Sequence, residues 1–163
     1  MNKRDHVLNG VLFGAGLGFL LSPLMDMATA SSVIAVGVPV ILGTLLPDVD
    51  TAFGSHRKTF HNLAFLAGFV AFPMQFGNLQ YVWLGILSHY VLDLLGSRRG
   101  LALLYPWPRE FELPVGVSTD SILAPVVTII VTALELGIVF AAVSVAPDLG
   151  GLSVPPIVGP VPF

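Results

Sequence analysis

Five apolar runs, each long enough to cross a bilayer, are separated by connections of uneven length, and all seven basic residues fall before the first run or in alternate connections. The runs cover about residues 7–25, 30–47, 60–77, 80–97 and 121–145. A hydrocarbon core of about 30 Å takes roughly 17–25 helical residues. Lys3 and Arg4 precede the first run, Arg57 and Lys58 lie between the second and third, and Arg98, Arg99 and Arg109 between the fourth and fifth. The other connections carry no Lys or Arg, so every basic residue faces one side, which the positive-inside rule makes cytoplasmic. Composition agrees: 55% of the 163 residues are hydrophobic and 10% charged, where a soluble domain carries about 25% charged residues. The expectation is an all-α integral membrane protein of about five transmembrane helices, with a cytoplasmic N-terminus, multi-pass in the plasma membrane.

The first run follows Lys3 and Arg4 as a signal peptide would, but from Val7 to Met25 it exceeds a usual signal core, and further spans follow. It reads as a retained helix within one domain over 1–147. Pro39 and Pro73 should kink the second and third helices, Pro47 should end the second, and Thr59 reads as the N-cap of the third. Residues 98–120, with Pro106, Pro108 and Pro114, read as a loop along the membrane surface carrying Tyr105 and Trp107 at the interface. Residues 148–163 are rich in Gly and Pro and read as an irregular tail.

The topology gathers metal-binding side chains at one leaflet. His6 starts the first span, Asp48 and Asp50 end the second, His56 and His61 lie before and at the start of the third, and His89 and Asp93 lie in the cytoplasmic half of the fourth. His89 and Asp93 are four residues apart and share a helix face. Gly85, Ser88 and Gly96 fall close to that face, so it points into the bundle. His6, Gly10, Gly14 and Gly18 form a second inward stripe at four-residue spacing. After Pro47, an extended Asp48-Val49-Asp50 would turn both carboxylates the same way. Polar groups at membrane depth are costly unless paired or coordinated. His6, Asp48, Asp50, His61, His89 and Asp93 therefore form a candidate site for one or two divalent ions. With no cysteine in the chain, the His/Asp set suits zinc or manganese.

This ordered series resembles the YdjM-like membrane-bound metal-dependent hydrolase family. The likeness rests on His6, Leu46-Pro47-Asp48-Val49-Asp50, His56-Arg57-Lys58-Thr59-Phe60-His61, the Gly85-to-Leu95 segment with Ser88-His89 and Asp93, and Leu104-Tyr105-Pro106, and it spans about residues 1–115. The family's Thr-His-Ser stands here as Thr59-Phe60-His61-Asn62. The resemblance implies metal-dependent hydrolysis and supplies no substrate. On that expectation an ion activates water, Asp48 or Asp50 takes its proton, and Arg57, Lys58, Arg98 and Arg99 hold a phosphate. The depth of the site favours an amphiphile such as a phospholipid, with membrane lipid as the partner and no nucleic acid; self-association is left open. A structural metal site or scaffold is the alternative. Transport is the weaker third, because the outer halves of the spans offer no matching polar groups. Asp120 reads as the N-cap of the fifth span or an added ligand. Glu135, mid-span without a basic partner, should be neutral or hydrogen-bonded.

Overall fold

A computed structural model describes residues 1–52, 54, 57–118 and 121–145. His56, Asp120 and the 148–163 tail lie outside the described residues. The described chain is all-helical: α1 (Lys3–Leu21), α2 (Met27–Leu45), a 3-10 helix (Pro47–Ala52), α3 (Leu63–Phe76), α4 (Val82–Gly96) and α5 (Ala124–Val145).

Each start has a local cause. Asn2 and Asp5 form a capping box on α1, and Asp26 and Thr29 form one on α2, satisfying backbone donors that an open helix end leaves unpaired. The N-cap of α3 is Asn62 and not Thr59: Asn62 Oδ1 accepts from Phe65 N at 2.9 Å while its amide donates to the carbonyls of Lys58 and Thr59. An amide both donates and accepts, so one side chain closes the turn and starts the helix. Gly77, at φ +67°, ends α3 in the left-handed conformation that suits glycine.

The five expected helices are present, but they are not five full-length spans. Among the described residues, two segments are long and apolar enough to cross a membrane, Met27–Ala52 and Ala124–Val145. α3 and α4 are apolar yet run only 14 and 15 residues. The Asn62 and Gly77 caps trim α3, and its first turn begins three residues later than expected.

Helices α1, α2, α4 and α5 pack around a shared interior, and α3 lies on α4 without burying a residue of its own. The glycine stripe of α1 faces α2. A Cβ on Gly14 would come within 2.9 Å of the Gly37 Cα, and one on Gly18 would meet the Val33 backbone. α2 and α4 approach closest at Gly43 and Gly85, where a Cβ on either would overlap the other helix's backbone. Small residues at such crossings allow this approach.

Below the apolar layer of Phe13, Leu17, Val36, Val40, Tyr81 and Leu84 lies a polar layer joining α1, α4 and α5. Asn9 Nδ2 reaches Thr132 Oγ1 and Glu135 Oε2, both at 3.0 Å, and Ser88 Oγ lies 2.7 Å from Asn9 Oδ1 and 2.9 Å from Glu135 Oε2. Glu135 is thus hydrogen-bonded, as expected for an acid at that depth. Replacing Asn9 by Leu strands these groups. The variant should lose about 1–3 kcal/mol of stability, measured by denaturant unfolding in detergent beside the wild type.

Candidate metal centre

Four side chains from three parts of the chain converge beside this polar layer. His89 is fully buried on α4 and points Nδ1 at the Thr44 carbonyl on α2, 2.7 Å away. A carbonyl only accepts, so His89 Nδ1 carries the proton and Nε2 bears a lone pair. His61, also fully buried, sits in the turn before α3 with Nδ1 3.0 Å from Asp50 Oδ2. Burial pulls its imidazole below the usual range, against the raising influence of Asp50, Asp93 and Asp48. As the donor to a carboxylate, His61 Nδ1 also holds its proton, and its Nε2 is an acceptor. The two Nε2 atoms face each other at 3.0 Å.

Two carboxylate oxygens complete the group. Asp48 Oδ1 lies 3.9 Å from His61 Nε2 and 3.7 Å from His89 Nε2. Asp93 Oδ2 lies 3.9 and 3.8 Å from the same two atoms. Two carboxylate oxygens thus approach the same pair of imidazole nitrogens at 3.7–3.9 Å, and the nitrogens approach each other at 3.0 Å. Metal–N and metal–O distances of about 2.0–2.2 Å put neighbouring ligand atoms of a tetrahedral ion roughly 3.3–3.6 Å apart. The observed separations bracket that span, so the residues fit a divalent ion. Without a cation or a shared proton the same arrangement is repulsive.

Asp93 is fixed through its other oxygen. Oδ1 lies 2.6 Å from the Met1 amine, 2.9 Å from Arg57 Nη2 and 3.4 Å from His6 Nε2. The His6 ring stacks on His89 with centroids 3.7 Å apart, and its buried Nδ1 has no hydrogen-bond partner among the described residues. His6, His89 and Asp93 form a second set that could hold an ion, overlapping Asp48, His61 and His89.

Asp48 and Asp50 do not face one point. The extended conformation expected for this segment is replaced by the 3-10 helix Pro47–Ala52, in which residues two apart project in different directions. Asp48 reaches the Nε2 side of His61 and Asp50 its Nδ1 side, where Asp50 Oδ2 also accepts from Phe60 N at 3.3 Å. Of the basic residues, Arg57 turns inward to Asp93, Lys58 pairs with Glu110 at 2.9 Å, Arg98 donates to the Gly116 carbonyl at 3.3 Å, and Arg98 and Arg99 are exposed.

Three supporting groups escaped the sequence reading. The Thr44 carbonyl is backbone and leaves no sequence signal. Tyr90 pins the turn around His61 by donating to the Phe60 carbonyl at 2.6 Å; a tyrosine on an inward helix was the available hint. Asn9, three residues after His6 and on its stripe, was another.

Comparison with curated proteins and with solved structures gives no match. Over residues 1–147 the chain matches the family model described as YdjM inner membrane protein, and it belongs to that family.

Proposed function

We propose that this is a membrane-bound, metal-dependent hydrolase whose His/Asp centre lies on the cytoplasmic side and acts on a phosphoester of a lipid or other amphiphile. The observation that carries the reading is the convergence of four acceptors, with both imidazoles held in the ligating tautomer by Asp50 and by the Thr44 carbonyl. Carboxylate and carbonyl partners of this kind commonly orient metal-ligating histidines. Asp48, His61, His89 and Asp93 would hold zinc or manganese, with His6 beside them. His89 offers only Nε2, because Nδ1 is taken, so the two overlapping sets act as one centre with a single ion. When bound, a divalent ion supplies Lewis acidity and lowers the pKa of its water.

The chain's own groups do the rest. Asp48 is the one member of the convergence that is not fully enclosed, with its side chain 13% exposed; with Oδ1 turned to the imidazoles, its other oxygen, Oδ2, would take a proton from water. Asp50 orients His61. Arg98 and Arg99 are exposed near the end of α4 and are available to a phosphate group. The same reading takes the helices as membrane-embedded and all seven basic residues as cytoplasmic.

The test is hydrolysis of phospholipids and polyprenyl phosphates by detergent-purified protein, wild type beside Asp93→Ala. Metal-dependent turnover that vanishes in the variant supports the reading; equal metal content and equal turnover overturn it. A second reading has one observation in its favour. Four protein ligands form the closed set typical of structural sites. In that case chelation unfolds the protein, whereas a catalytic ion is removed with helicity retained.

Asp50→Asn keeps the shape and removes the charge behind His61. Its metal affinity should fall about 10–100-fold, measured by competition with a chelator of known affinity.

A further inference from the structure

Arg57 adopts φ +64°. Non-glycine residues rarely accept that conformation, and glycine is the usual occupant. A long cationic side chain is carried there at a backbone cost. Its contacts show what it holds. The guanidinium is 11% exposed. Nη2 donates to Asp93 Oδ1 at 2.9 Å and to Ser97 Oγ at 3.0 Å, and Nη1 donates to the Arg99 carbonyl at 2.8 Å. Ser97 Oγ in turn donates to the Asp93 carbonyl at 2.8 Å. The Arg57 carbonyl accepts from Ala102 N at 3.2 Å. Backbone and side chain thus grip the same loop, residues 99–102, from one residue.

We infer that Arg57 is a positioning residue that clamps Asp93 to the loop after α4 and so turns the Asp93 Oδ2 toward His61 and His89. Its donors are committed to protein groups, which leaves little of the guanidinium for a substrate phosphate. Lysine cannot replace it, because an ammonium lacks the planar fork that reaches Asp93 and the Arg99 carbonyl together. Lys58 beside it is engaged by Glu110. The part of this inference that concerns the ion rests on the metal reading above; the loop part does not.

The experiment compares wild type, Arg57→Lys and Arg57→Gly in detergent. It reads cobalt(II) affinity, the visible absorption of the bound cobalt, helicity, and the rate of tryptic cleavage after Arg98 and Arg99. Glycine suits the backbone at this position, so Arg57→Gly removes the clamp without adding strain. Both variants should keep wild-type helicity, bind cobalt about 10–100-fold more weakly, show altered absorption bands, and be cut faster in the loop. Wild-type affinity and bands in both variants overturn the role toward Asp93. Unchanged cleavage in both overturns the loop clamp. A wild type that takes up no cobalt overturns the metal reading and the ion part of this inference together, and the cleavage rates then decide the loop part alone.

Discussion

On the proposed metal reading, replacing His89 by alanine should abolish stoichiometric zinc or manganese binding. His89 belongs to both overlapping ligand sets, and no other described residue does so; it is fully buried, with its second nitrogen anchored on a neighbouring helix. Losing it removes a ligand and also leaves the two carboxylates without the imidazole between them. The loss should exceed the roughly 10–100-fold expected for an outer partner such as Asp50. Elemental mass spectrometry of purified wild type gives the reference ratio, and helicity shows whether the variant stays folded. Asp48→Ala is the companion. It lies at the more open edge of the group, so it should lose affinity with less damage to packing. A His89→Ala protein that keeps its metal would mean that the centre lies elsewhere.

Replacing Gly85 by valine should prevent stable folding. A Cβ at Gly85 would overlap Val40 O and come within 2.8 Å of the Gly43 Cα and of Thr44 N. These obstacles are backbone atoms and cannot move aside as a flexible side chain would. The cost should therefore lie above the typical 1–3 kcal/mol of an overpacked core (about that range). The site goes with the crossing, because Thr44 and His89 sit on opposite sides of it and separate when α2 and α4 part. Gly68 and Gly137 are the internal controls. A Cβ at either meets nothing within 4 Å, so Gly68→Ala and Gly137→Ala should be neutral, or stabilising by about 0.5–1 kcal/mol from helix propensity. Thermal unfolding in one detergent orders all three. Equal behaviour of Gly85 and Gly137 variants would remove the close crossing from the account.

How much of this was readable in advance follows from whether the cause was local. Helix number, the His89–Asp93 face and the α1 glycine stripe depend on periodicities of a few residues, and a linear sequence carries those directly. Helix ends are less legible. Asn62 competes with Thr59 for the same turn, and its two-sided hydrogen bonding decides the matter only once the carbonyls of Lys58 and Thr59 are in place. The expectation for Asp48 and Asp50 failed in conformation for a related reason. A proline-led segment can extend or coil, and here a 3-10 turn sends the two carboxylates to opposite nitrogens of one imidazole.

The sequence by itself determined the class of protein, the helices and the residue types of the candidate centre, because hydrophobicity, spacing and donor chemistry are properties of the chain. Only the tertiary structure decided which oxygen of which aspartate meets His61 and His89, that Thr44 holds a tautomer through its backbone, and that Arg57 turns inward. Those outcomes depend on distances between segments far apart in sequence, set by how closely glycines let α1, α2 and α4 approach.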